Sequence, residues 1–187
     1  LEAGSSYNAI PAGGWAAVVL PAGRGAGLER ACASFQEDLR RWYGAQEPHI
    51  QVCARRTPLP EQVWSEPCAR DCLALMGSLF DGVYAMHPRF PDVVGASASL
   101  GRVCVEEARI LVQSFVRCAQ QEDALQLFTQ HDRAAQSAGF SLSRVHSYPG
   151  WPGEADNPLL DTLCRVYRRE TGREMAVTAV HVGLEPS

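Results

Sequence analysis

Lysine is missing from this chain: all 17 basic residues among its 187 are arginine. A guanidinium presents a planar fork of donors that matches carboxylates and phosphates, so the set suits anion recognition. A GC-rich coding sequence accounts for the same bias with no function attached. Histidine is scarce, with five residues, and none stands at HxxxH, HxH or HxxEH spacing, which excludes the common helical zinc motifs. No GxSxG elbow and no phosphate-cradling glycine loop occurs. No apolar run approaches the roughly 20 residues of a membrane span, and no signal-peptide pattern is visible. The seven cysteines are odd in number and form no CxxC pair, so neither a disulfide framework nor a zinc knuckle is indicated. Cys68 and Cys72 share the apolar face of a predicted helix and read as buried thiols. Free thiols fit a reducing cytoplasm.

What is present is ordinary for a soluble globular protein: 46% apolar and 20% charged residues, with a net charge of −4. That balance argues against a general nucleic-acid binder. The length suits one large domain, or one domain with an appendage.

Periodicity organises the chain. Residues 1–24 read as a strand pair with a turn, Trp15 to Leu20 being an apolar run between Gly13-Gly14 and Pro21. Residues 27–43 read as an amphipathic helix with Leu28, Cys32, Phe35, Leu39 and Trp42 on one face. A short strand is expected over 49–55. A second helix starts after Ser65, with Pro67 in its first turn, and ends at Asp81-Gly82. Residues 83–92, with Pro88 and Pro91, read as loop. The clearest β signal follows: Val94, Ala96, Ala98 and Leu100 alternate with Gly95, Ser97 and Ser99. After a turn near Glu106-Glu107, Ile110, Val112, Ser114 and Val116 alternate with Leu111, Gln113, Phe115 and Arg117. This is a hairpin with one face on a core. A third helix spans 121–138, with His131 on its inward face, and a short strand is expected over 140–147. The class is therefore α/β (α+β), an antiparallel sheet with helices on one face in two layers. The element order also suggests two related halves of a sandwich.

The texture changes at Tyr148-Pro149-Gly150-Trp151-Pro152-Gly153, a rigid, turn-rich linker. Asn157-Pro158 then opens a helix with Leu159, Leu163, Val166 and Tyr167 facing inward, and Gly172 closes it. Met175 to Val180 carries only Thr178 as a polar side chain. A strand apolar on both faces belongs inside a covered, usually parallel sheet, and the chain offers few other strands for such a sheet. The segment 154–187 thus reads as a helix–strand unit from the α/β domain of a larger enzyme.

Four stretches together resemble the aminoacyl-histidine dipeptidases, zinc metallopeptidases related to carnosinase. They are Gly4-Ser5-Ser6-Tyr7-Asn8-Ala9-Ile10-Pro11, Val94 to Val103 leading to Ser114-Phe115-Val116-Arg117, Tyr148-Pro149-Gly150-Trp151 with Asn157-Pro158, and His181-Val182-Gly183-Leu184-Glu185. Each is weak alone; in this order they cover nearly the whole chain. The resemblance implies a dimeric, two-domain cytoplasmic enzyme with two zinc ions in a catalytic domain and a lid that contacts the dipeptide. It makes residues 1–147 most of the lid and dimerisation domain, and 148–187 the return into the catalytic domain. It places the zinc ligands and catalytic carboxylates outside this chain, so that the chain alone is inactive, and it implies no nucleic-acid or membrane partner.

The same resemblance singles out substrate contacts. Asn8 would donate its amide to a substrate carbonyl or an oxyanion; as a plain residue it is a turn former. Arg117 would hold the C-terminal carboxylate of a dipeptide through two parallel bonds; otherwise it is a solvated strand-end arginine. Gly183 would let the backbone approach substrate, flanked by His181 and Glu185 as orienting groups. Tyr7 stands where the family often has arginine, and Pro186-Ser187 replaces its usual Cys-Gly. A non-enzymatic alternative is a stand-alone α/β module for dimerisation or small-molecule binding.

Overall fold

The computed structural model describes residues 1–150 and 157–183. These fall into two compact units. One comprises residues 1–15 with the chain from Glu66 onward; the other comprises residues 16–65.

The first unit is built on one five-stranded antiparallel sheet: β1 (Glu2–Ala3), β2 (Gly14–Trp15), β3 (Gly82–Met86), β4 (Val94–Glu106) and β5 (Arg109–Cys118). β4 is the spine. β5 pairs with it along nearly its whole length, while β3 and β1 pair with its first and second halves. The β4–β5 hairpin is the one its alternation predicts. Its two-residue turn is Glu107-Ala108, both at positive φ (50° and 61°), the backbone hand that matches strand twist in a tight hairpin. The expected loop over 83–92 is corrected at its start, because β3 occupies Gly82–Met86. Pro88 and Pro91 punctuate only the turn beyond it, which His87 N–H closes on the Val93 carbonyl at 2.7 Å. Gly95 lets β3 come this close: a Cβ there would lie 2.9 Å from the backbone of Met86 and His87.

Helices α2 (Glu66–Ser78) and α3 (Gln121–Ser137) cover one face of the sheet. Their core joins Leu75, Ala134, Ala135 and Ala138 to Leu79, Val112 and Phe140. Three alanines at helical spacing keep α3 low on the sheet, where small side chains permit close packing. Cys72 and Leu127 are fully buried beneath the helices, as a thiol behaving like a small apolar group should be. His131 is a core residue, its Nε2 3.2 Å from the Phe80 carbonyl. Because side chains alternate along a strand, Val112, Ser114 and Val116 face the helices, and Gln113, Phe115 and Arg117 face away.

α4 (Pro158–Thr171) has the ends its sequence calls for. Asn157 Oδ1 accepts from Leu159 N–H at 3.0 Å, Pro158 takes the first position, and Gly172 ends the helix at φ 70°. Its apolar stripe is not inward: Leu159 and Leu163 are 64% and 49% exposed. Nor does 175–180 form a strand. A strand needs a hydrogen-bonding neighbour, and one with two apolar faces needs cover on both; the described sheet supplies neither. The strand expected over 140–147 is likewise absent, and without it the two-halves arrangement gives way to a single sheet.

In the second unit, α1 (Gly25–Tyr43) is the predicted helix. Its buried residue is polar. Gln36 donates Nε2–H to the Ile50 carbonyl at 3.0 Å and accepts from Val52 N–H. One side-chain amide thus does for residues 50–52 what a neighbouring strand would do, and the strand expected over 49–55 does not form.

Candidate functional site

The sheet face opposite the helices carries the site. Register pairs Ser97 with Arg117 and Ser99 with Phe115, so these four side chains lie together on it. Arg117 lies with its guanidinium carbon 5.0 Å from the Phe115 ring centre, and Phe115 meets Tyr7 at 5.8 Å between ring centres. Tyr7 belongs to the Gly4–Pro11 stretch, which crosses directly over a bulge in β4. A Cβ on Gly4 (φ +69°) would sit 1.9 Å from the Gly101 carbonyl oxygen, and one on Gly101 would sit 2.3 Å from that of Tyr7. Neither crossing tolerates a side chain. Next to Tyr7, Asn8 is exposed and accepts a 2.6 Å hydrogen bond from Ser6 through Oδ1. With the oxygen engaged, the NH₂ group is its donor end.

Two further segments close on Arg117. Tyr148 belongs to the linker crossing the end of β5, where a Cβ on Gly150 would lie 2.2 Å from the Cys118 carbonyl oxygen. Gly183 is close to both: a Cβ there would be 2.8 Å from the Tyr148 hydroxyl and 3.4 Å from Arg117 Nη1. His181 reaches back to the sheet, its Nε2 2.7 Å from Ser97 Oγ. Burial, reinforced by the Arg117 charge, holds the His181 pKa below its ordinary value against a hydrogen bond to the Val94 backbone. The imidazole is therefore neutral at pH 7 beside a permanent cation.

Arg117 Nη1 is buried and has no hydrogen-bond partner among the described residues. A buried guanidinium nitrogen without an acceptor is costly. Arranged with a tyrosyl hydroxyl, it makes a pair of donors suited to a carboxylate. The structure thus brings Arg117, Gly183 and His181 together, and links Asn8 to them through the tilted Tyr7–Phe115 contact. Glu185 lies outside the described residues. Sequence reasoning passed over Ser97 and Tyr148. Ser97 stands in an alternating β run whose pairing puts it opposite Arg117; Tyr148 opens the Tyr-Pro-Gly-Trp stretch.

Zinc does not fit the residues at hand. Among those described, no three His, Cys, Asp or Glu side chains cluster as a metal site would require. No described helix is long and apolar enough to cross a membrane.

No protein-family model matches the chain. It is 20% identical over 182 residues to the cytosol non-specific dipeptidase of Escherichia coli (strain K12), covering 97% of this chain and 38% of that protein. It superposes on the crystal structure of aminoacylhistidine dipeptidase from Vibrio alginolyticus with a TM-score of 0.91 and 25% identity, covering 99% of this chain and 38% of that one. The chain therefore spans about two fifths of the length of the proteins it matches. The likeness carried by the four motifs extends along nearly the whole sequence, and the α/β fold is that of part of a dipeptidase.

Proposed function

From a chain that resembles part of an aminoacyl-histidine dipeptidase, we propose that it forms the lid and substrate-binding region of a cytoplasmic zinc dipeptidase. Residues 1–147 are then the lid and dimerisation domain, and 148–187 return to the catalytic domain. Arg117 binds the free carboxylate of the dipeptide, with the Gly183 backbone beside it. Asn8 donates its amide to the scissile carbonyl as negative charge develops there, and His181 orients the 181–185 segment together with Glu185. Two zinc ions and their ligands belong to the rest of the protein, which works as a homodimer, and this chain alone is inactive. A preference for Xaa-His dipeptides belongs to the same reading.

The single observation that carries it is the buried, unpartnered Arg117 nitrogen beside Gly183. A clamp of this kind rewards a free terminal carboxylate and so favours dipeptides over longer chains. The exposed stripe of α4 and the unpaired 175–180 segment suit packing against a further domain.

The test is made on the full-length gene product: bound zinc, and hydrolysis of a dipeptide panel that includes a histidine-terminated member. Two zinc ions per protomer and cleavage limited to dipeptides are expected. A protein that binds no zinc and cleaves no dipeptide would overturn the assignment.

A further inference from the structure

The segment that carries Gly183 has no ladder of its own. From Glu174 to Gly183 it forms neither helix nor strand, yet Gly183 is placed within contact distance of Arg117 and Tyr148. A glycine loop cannot hold such a position through its own backbone, which is the least restricted of any residue. Something must fix it to the sheet. The described side-chain tie is His181, two residues before Gly183. Its Nε2 is 2.7 Å from Ser97 Oγ, across 84 positions of sequence, and the ring also hydrogen-bonds the backbone of Val94. Both partners belong to β4, and Ser97 stands directly opposite Arg117 in the β4–β5 register.

The chemistry of the pair suits either tautomer. A neutral imidazole carries one N–H and one acceptor nitrogen. The Ser97 hydroxyl can donate to Nε2 or accept from it. A serine hydroxyl fills this place because it rotates to suit its partner, which no apolar side chain of similar size can do.

We propose that Ser97 is a positioning residue for substrate binding: by hydrogen-bonding to His181 Nε2 it latches the 181–183 segment onto β4, so that the Gly183 backbone and the Arg117 guanidinium face one carboxylate together. This rests on the dipeptidase reading for what the site binds, but not for the latch itself. Ser97 touches no substrate; its effect passes through His181. Removing the hydroxyl leaves Arg117 in place and frees the loop. The loss should therefore fall on binding, raising KM while kcat stays nearly constant.

The experiment uses the full-length protein and three forms: wild type, Ser97→Ala and Ser97→Thr. Amide exchange over residues 175–183, followed by mass spectrometry, reports the latch. Steady-state kinetics on a free dipeptide reports its consequence. Ser97→Ala should exchange faster across 175–183 and raise KM roughly 5- to 10-fold, the worth of one side-chain hydrogen bond, with kcat within about twofold. Ser97→Thr, which keeps the hydroxyl, should restore both. Unchanged exchange in Ser97→Ala overturns the latch, whatever the kinetics. A raised KM with unchanged exchange would make Ser97 a direct substrate contact instead. If the wild type hydrolyses no dipeptide, the dipeptidase reading fails, and the exchange comparison still decides whether Ser97 holds the segment.

Discussion

Replacing Arg117 with methionine should separate binding from stability. Methionine keeps an unbranched stem against Phe115 and removes the charge. In the wild type the guanidinium lies 5.0 Å from that ring centre, and one of its nitrogens is buried without a partner. Losing the cation–π contact costs about 0.5–1 kcal/mol. Relieving a buried, unsatisfied donor returns about 1–3 kcal/mol. The balance is neutral to mildly stabilising, so the urea midpoint should hold or rise. Binding moves the other way. Hydrogen bonds to a charged group contribute about 1.5–3 kcal/mol each. On the proposed dipeptidase reading, loss of a single net bond of 3 kcal/mol should lower the full-length protein's kcat/KM on a free dipeptide roughly 150-fold. The assay uses the full-length protein, as wild type and Arg117→Met, and pairs each dipeptide with its C-terminal amide. The substitution should cost little on the amide, giving a coupling energy between Arg117 and the terminal carboxylate. Equal losses on acid and amide would refute the clamp. So would a large fall in stability with activity intact, which would make Arg117 a structural residue.

The hairpin and two histidines, one buried and one half-buried, allow two further predictions. Ala108 turns at φ 61°, a conformation that glycine adopts without the Cβ penalty. Ala108→Gly should stabilise the protein by about 0.5–1 kcal/mol in urea unfolding; a destabilisation would mean that the turn is held differently. Burial holds His131 below its ordinary pKa of 6.5, against the hydrogen bond to Phe80, and His181 is lowered as well. The unfolded chain then binds more protons than the folded one in the window below 6.5, so stability is complete above it and falls as pH drops toward the folded values. Urea midpoints at pH 7.5, 6.5 and 5.5 should decline, and His131→Gln should decline less steeply; identical slopes would remove His131 from the account.

Short-range signals carried much of this fold. The alternation of residues 94–117 predicted the hairpin because one strand face rests on helices and the other does not. Asn157, Pro158 and Gly172 marked α4 because capping depends on neighbouring residues alone. The errors arose where a partner decides. Residues 49–55 look like a strand, but a glutamine amide takes the backbone groups of Ile50 and Val52. Residues 175–180 look like a strand and find no neighbour in the described sheet. β3 was hidden by Pro88 and Pro91, which lie just past its end. At the site, likeness to a family pointed to Arg117, His181 and Gly183. Ser97 and Tyr148 join them only through pairing and chain crossings, which no local period records.

The site's parts stand at positions 7, 97, 115, 117, 148, 181 and 183, yet the hairpin beneath them is a local structure. Hairpins zip in microseconds, whereas contacts across long stretches of chain must first overcome the entropy of loop closure. The order of assembly follows. β4 and β5 can pair as soon as both have been made, leaving Arg117 against Phe115. The cluster around Arg117 is completed afterwards, when the chain beyond residue 180 returns to the sheet. During synthesis on the ribosome this surface therefore exists for a time as half a site, with its cation in place and its glycine still to come.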